Sequence, residues 1–412
     1  MDLDRIQDLF FEAKALPDAE RLDWLEAQCA HDTVTLQQVM NLLRIEPRAQ
    51  EVLGESGSGV MQPILGELEE EMEGKDWIGK QIGRYKIIRM LGHGGMGTVF
   101  LAEEQGAVVR RVAVKLVRRG MDNEHMIRRF KTERTILGAL QHPNIARLLD
   151  ADVTEDGQPY FVMAYIKGLP IDVYCDENRL RVDERLTLFL PVLEAVGFAH
   201  ENQIIHRDLK PGNILITDTA EVKLLDFGIA KVLDPKRYNL SFAVTQTGFQ
   251  LLTPEYASPE QISGKAITPA SDVYQLGVLL YELLTGHRPF RMEQYESKFD
   301  IARAILEDPP TRPSAAIERQ IRVSRGRNAS VLLSPEEITA ARRTSVDRLK
   351  ARLSGDLEYL LHKALAKKVE DRYTSAAAFA TDIRRHLQGE PLLQPSGAGH
   401  LLGRIGKFFR RG

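Results

Sequence analysis

The 412-residue sequence has only two cysteines, Cys29 and Cys175, too few and too far apart for a disulfide framework or a thiolate metal cluster. They are expected as buried thiols of a reducing compartment. No apolar run approaches the ~18–20 residues that a membrane span needs. The first residues, MDLDRIQDLFF, are acidic where a secretory leader is basic. Net charge is also scarce: 55 Lys+Arg against 58 Asp+Glu leave a formal −3, which argues against a nucleic-acid partner. Internal repeats are absent, as is low complexity beyond one short linker. What remains is a cytoplasmic globular chain, and 43% hydrophobic with 27% charged residues fits that class. Single cores usually stop growing near ~250–300 residues, so more than one folding unit is expected.

The charge is unevenly spread. Residues 1–80 hold 18 Asp+Glu and 7 Lys+Arg, a net −11, which leaves +8 for the remainder. Ile6, Leu9, Phe10 and Ala13 recur at helical spacing, as do Leu22, Leu25 and Cys29 after Pro17-Asp18, and Leu36, Val39, Met40 and Leu43. Residues 1–50 therefore read as an acidic helical module. Residues 51–80, with GESGSG and GELEEEMEG, have the composition of a flexible acidic linker. From Tyr85 the period changes. RYKIIRMLGHGGMGTVFLAEE and RRVAVKLV are short β-branched and aromatic runs broken by glycine, which predicts strands and a hairpin. Beyond Asn123 helical patterns dominate, so a small β-rich lobe should precede a larger helical one. Residues 310–352 differ again, with ten Lys+Arg from Arg312 to Arg352 against four Asp+Glu.

The residues that carry chemistry come in a fixed order. Gly92, Gly94 and Gly97 form a G-x-G-x-x-G turn whose backbone can approach a polyphosphate without Cβ atoms in the way. A dinucleotide site uses the same pattern but leads into a helix, whereas here a strand follows. Lys115 closes the strand VAVK, and Glu133 lies on an expected helix where it could hold that lysine against phosphate oxygens. HRDLKPGN then supplies Asp208, Lys210 and Asn213, and DFG supplies Asp226. Phosphoryl transfer needs such a division of labour, with one carboxylate to orient the attacking hydroxyl and oxygen ligands for magnesium.

These motifs closely resemble those of the eukaryotic-like protein kinases, in particular the bacterial Hanks-type serine/threonine kinases, over about residues 85–390, roughly three quarters of the chain. The resemblance implies a bilobal α+β fold and ATP-dependent phosphorylation of serine or threonine hydroxyls on protein substrates in signalling. It implies ATP and Mg2+ as cofactors. Leu91, Gly92, His93, Gly94, Gly95, Met96, Gly97, Thr98 and Val99 would cover the nucleotide, and Lys115, paired to Glu133, would contact its α/β-phosphates. Met163 would stand beside the adenine, with backbone groups of Ala164 and Ile166 bonding it. Ala164 stands where many relatives have Glu, and a ribose-side contact could be lost with it. Asp208 would be the catalytic base, Lys210 would lie near the γ-phosphate, and Asn213 and Asp226 would hold the metal. Glu260 of SPE, where Ser258 replaces the usual Ala, would pair with Arg372, and Asp272 would brace the catalytic loop. Lys210 and Thr253 match the serine/threonine pattern. Thr245 and Thr247 are candidate activation-loop phosphosites, with Ser241 a weaker one.

The sequence leaves two rival readings. A scaffold pseudokinase needs a broken catalytic position, and none is found. A small-molecule phosphotransferase should lack the SPE–Arg372 architecture. The helical module could be a solubilising cap or a docking site for a regulator. The basic segment 310–352 is expected as a solvated loop with a helix, with contact to the acidic module as the alternative. The tail, residues 391–412, carries Leu401, Leu402, Ile405, Phe408 and Phe409 among Arg404, Lys407, Arg410 and Arg411. It could be a final packed helix or a weak membrane contact, since many bacterial relatives continue from a basic stretch into a spanning helix.

Overall fold

A computed structural model divides the chain into two compact units, Met1–Met72 and Glu73–Gly412. It describes residues 9, 12–13, 16, 18–29, 32, 35–36 and 39–40 of the first, and 76–94, 97–106, 109–117, 140–226, 254–290, 295, 298–325 and 329–393 of the second.

In the first unit helix α1 spans Asp18–Cys29. Leu25 and Cys29, one turn apart, are buried together with Leu9, Ala13 and Val39. Leu22, from the same expected stripe, is instead 44% exposed, so the buried face is narrower than the periodicity suggested. Arg21 donates from Nε to the carbonyls of Ala13 and Leu16 and so ties α1 to the chain before it.

The second unit begins with strands β1 (Gln81–Ile82), β2 (Tyr85–Gly94), β3 (Gly97–Glu104), β4 (Arg110–Val117), β5 (Leu148–Val153) and β6 (Pro159–Ala164). They form one antiparallel sheet in the order β1-β2-β3-β4-β6-β5. Strand β4 shows why the sequence folds this way. Side chains alternate across a strand, so Val112, Val114 and Leu116 join Phe100 and Val162 in the small-lobe core. Ala113 and Lys115 are thereby sent to the opposite face.

After β7 (Gly168–Pro170) come α2 (Ile171–Glu177), α3 (Val182–Glu201), β8 (Ile214–Thr217) and β9 (Val222–Leu224). Strands β7, β8 and β9 form a small sheet of their own. Then follow α4 (Pro259–Ser263), α5 (Pro269–Thr285), α6 (Lys298–Glu307), α7 (Pro313–Ala316), β10 (Ile321–Arg325), β11 (Ala329–Leu333), α8 (Pro335–Ala340), α9 (Val346–Leu353), α10 (Asp356–Ala364) and α11 (Ala376–Gln388). Helix α5 is the axis of this lobe. Thr268 and Pro269 start it, Gly286 at φ +75° ends it, and fifteen of its seventeen residues are buried. A Cβ at Gly277 would meet that of Ala364 at 2.8 Å, so the glycine is what permits α5 and α10 to pack closely.

The basic segment carries more structure than the solvated loop with a helix expected of it. It builds α7, the antiparallel β10–β11 hairpin, α8 and α9, and Ile317, Leu349 and Leu353 enter the main core. Ser334 and Glu337 start α8 as a reciprocal capping box. Arg342, 2% exposed, donates to the carbonyls of Leu283 and Leu284 and so satisfies acceptors left over at the end of α5. A cation that charge counting assigned to solvent is here a buried cap.

Candidate active site

Between the small sheet-built lobe and the helical lobe of the second unit lies a cleft of about 760 Å³. Its apolar part is lined by Leu91, Val99, Ala113, Met163, Leu215 and Leu225, and its polar end by Lys115, Asp208, Lys210, Asn213 and Asp226. Gly92, His93, Gly94, Gly97, Ala164 and Ile166 also face it.

The roof is set by strand register. Val99 on β3 lies opposite Lys115 on β4, and Ala113 lies opposite Met163 on β6, so one face of three strands delivers all four residues. Gly97 has φ +129°, and a Cβ there would stand 2.0 Å from the Leu116 carbonyl oxygen. Only glycine fits. A Cβ built at Gly92 or Gly94 would meet nothing within 4 Å, so open space lies beside both glycines over the cleft. His93 Nδ1 lies 3.0 Å from Thr98 Oγ1, a cross-strand pair closing the turn. Ala164 gives its N–H to the Arg147 carbonyl at 3.0 Å, so only its carbonyl remains to be offered to a ligand.

The floor is built differently. Residues 206–213 form an irregular turn after α3, and Arg207 sits at φ +67°. Asp272, wholly buried on α5, accepts the N–H of His206 at 2.8 Å and that of Arg207 at 2.9 Å. It also pairs with His200 Nε2 at 2.7 Å. Burial opposes its ionisation, but the His200 hydrogen bond, the two nearby imidazoles and the Arg207 N–H outweigh it and hold the carboxyl below its ordinary range. Burial pushes the His206 ring downward, towards the neutral form. The hydrogen bonds assign its proton to Nε2, which faces the Leu225 carbonyl at 2.9 Å, while Nδ1 accepts the Asp208 N–H at 3.3 Å.

On this turn Asp208 Oδ2 lies 3.0 Å from Lys210 Nζ. Asn213 donates from Nδ2 to the Asp208 backbone carbonyl at 2.7 Å and to its Oδ2 at 3.0 Å. The Asn213 amide is thereby oriented, leaving its oxygen as the atom it can offer. Asp226, at φ +48°, forms an ion pair through Oδ2 with Lys115, which is 4% exposed. Its Oδ1 is buried without a donor among the described residues. Buried acceptors are rarely left unmatched. An orphaned carboxylate oxygen in the same cleft as the Asn213 amide suits a hard cation. Glu260 and Arg372, from α4 and the turn before α11, form a buried two-pronged pair at 2.6 and 2.9 Å.

Lys115, Asp208, Lys210, Asn213 and Asp226 line one cleft, with Lys115 on Asp226, while Glu133, the partner expected for it, is not among the described residues. Gly95, Met96, Glu133, Thr245, Thr247, Ser241 and Thr253 lie outside the described residues, as does the tail from residue 394. Nine cleft residues escaped the sequence reading, among them Ala113, Leu215 and Leu225. Ala113 could have been found, since it precedes Lys115 by two on one strand; Leu215 and Leu225 carry no signal beyond lying next to the motifs.

Residues 85–386 match the family model of the protein kinase domain. The serine/threonine-protein kinase PrkC of Bacillus subtilis is 43% identical over 216 residues, covering 52% of this chain and 32% of that protein. The serine/threonine-protein kinase PknB of Mycobacterium tuberculosis is 34% identical over 313 residues, 75% of this chain and 44% of that protein. The chain thus spans less than half the length of these curated relatives. A crystal structure of a cysteine variant of the Mycobacterium tuberculosis PknI kinase domain superposes with a TM-score of 0.51 at 24% identity. That match covers 75% of this chain and 97% of that one, a likeness of fold.

Proposed function

The chain belongs to the protein kinase family, in its bacterial Hanks-type branch, and we propose that it transfers the γ-phosphoryl group of ATP to serine or threonine hydroxyls of proteins, using magnesium. The observation that carries this reading is the meeting of Asp208, Lys210, Asn213, Lys115 and Asp226 at one end of a glycine-roofed cleft. A bound metal would supply positive charge that offsets the charge of the phosphates. Asn213 and Asp226 would hold it, the latter through its orphaned Oδ1.

The remaining work belongs to the chain. The apolar slot takes the adenine, with the Ala164 carbonyl and the Ile166 backbone at its edge. Lys115, held by Asp226, clamps phosphate oxygens as an oriented point charge. Asp208 orients the substrate hydroxyl and accepts its proton, and Lys210 offsets negative charge beside it. Support for a protein substrate comes from the buried Glu260–Arg372 pair, which anchors the end of the segment after Asp226. Thr245 and Thr247 in that segment are the proposed sites of self-phosphorylation. The acidic module as a regulator's docking site, and the basic tail as a weak membrane contact, are proposals of the same standing. Among the described residues no helix is long and apolar enough to cross a membrane.

The test is a radiolabelled-phosphate assay of the wild type and Asp208→Asn against a generic protein substrate and a metabolite panel, with phosphopeptide mapping. Label on protein serine or threonine that vanishes with Asp208→Asn is expected. Label on a metabolite alone, or none from folded wild type, overturns the proposal.

A further inference from the structure

Two buried glutamines grip the catalytic turn, and the chemistry described above does not use them. Gln261 is the third residue of α4 and is 7% exposed; Gln275 lies on α5 three residues after Asp272 and is 3% exposed. Gln275 Oε1 accepts the Leu209 N–H at 3.1 Å. That bond turns its Nε2 towards Gln261 Oε1, at 3.0 Å, and the Arg207 carbonyl, at 3.4 Å. Gln261 Nε2 donates to the same carbonyl at 2.8 Å, and its Oε1 also accepts the Ser258 N–H at 2.9 Å. Ser258 Oγ in turn accepts the Gln261 N–H at 3.3 Å and completes a capping box.

The peptide groups on both sides of Asp208 are therefore held, the Arg207 carbonyl before it and the Leu209 N–H after it. This turn needs holding, because Arg207 occupies the left-handed region that an L-residue enters only when its surroundings impose it. Asp272 grips the two amides upstream. The glutamines grip the residues on either side of the reacting carboxylate, and one of them belongs to the helix that begins at Ser258.

We propose that Gln261 and Gln275 are positioning residues, a latch that couples the anchored segment Ser258–Ser263 to the placement of the Asp208 carboxylate. Neither glutamine lines the cleft, so the latch acts on turnover and not on nucleotide binding. The proposal rests on the kinase reading of the site.

The experiment uses the full chain with Gln275→Met, Gln261→Met and both together, since Met keeps the length of Gln without its amide. Each single variant should lower kcat about tenfold while KM for ATP moves less than about twofold, the pattern of a group that acts only in the transition state. The double variant should be little worse than the worse single one, because the two amides share the Arg207 carbonyl and each other. Independently of turnover, amide exchange at Leu209 should quicken at least about tenfold in Gln275→Met while β8 and β9 stay protected. Unchanged exchange at Leu209 overturns the latch whatever the turnover. Unchanged kcat in an active background, additive losses, or equal losses through kcat and ATP KM overturn it too. An inactive wild type defeats the kinase reading instead, and exchange then judges the latch alone. If Gln275→Met does not fold, Gln261→Met carries the test, with exchange read across residues 206–209.

Discussion

The roof and the floor of the cleft place their functional atoms by different means. On the roof, Val99, Ala113, Lys115 and Met163 come from three adjacent strands, and their common direction follows from a two-residue period and an antiparallel register. On the floor, Asp208 sits on a turn with no repeating geometry, shaped by buried side chains 53 to 67 positions further along the chain, among them Gln261, Asp272 and Gln275. The roof is set by pleat and register; the floor depends on polar groups brought from distant helices.

The sharpest break in this comparison is chemical. Asp208→Asn and Lys115→Met remove one oriented charge from each side, and each should cut protein phosphorylation by at least about a hundredfold. Circular dichroism should show both folded. Full turnover in either would mean that the cleft is not the reacting centre.

Stability should report on the floor side next. Arg372→Ala leaves Glu260 buried without its two-pronged partner, and loss of one member of a buried pair costs about 3–5 kcal/mol. Asp272→Ala strands two backbone N–H groups and His200 on the floor, at about 1–3 kcal/mol for each buried group left unmatched. Denaturant midpoints measure both. A midpoint for Asp272→Ala close to that of the wild type would show the turn to be held by something else.

On the roof, Gly97→Ala forces a Cβ against the Leu116 carbonyl at a backbone angle that costs about 1–3 kcal/mol. Its effect should fall on KM for ATP more than on kcat, the reverse of the glutamine variants. A Gly97→Ala enzyme with unchanged nucleotide affinity would remove the distinction between roof and floor.

The smallest effect is with pH. Burial pushes the His142, His206, His287 and His362 imidazoles below their ordinary value. The unfolded chain therefore binds protons that the folded chain refuses once pH drops below about 6.5, and stability falls in that direction. Asp272, whose carboxyl is depressed, adds to the loss only at lower pH, below the ordinary carboxylate range. The melting temperature should decline from pH 7.5 to 5.5, and less steeply in a folded His206→Gln variant. A flat profile across that window would mean these rings take up protons in the folded state.

Several placements could be read from neighbouring residues alone. VAVK with its alternation announces Lys115 on a strand face, and G-x-G-x-x-G before a strand announces a phosphate-covering turn. HRDLKPGN brings Asp208, Lys210 and Asn213 together within six positions, and the structure keeps them there. In each case the groups lie so close along the chain that local backbone geometry is enough to join them.

Other placements were not legible. The family resemblance implied that Asp272 braces the catalytic loop, but nothing in SDVYQLG shows that Gln275 reaches back to it as well, and nothing in ITAARR shows that Arg342 closes the end of α5. The order of the motifs determined the chemistry by itself, because the residue types needed for phosphoryl transfer were written within short windows. Only the tertiary structure decided how they are held, because the groups that hold them are buried amides and carboxylates from distant helices. Their hydrogen bonds exist only after the chain has packed and excluded water, since in the open chain water would take each partner first.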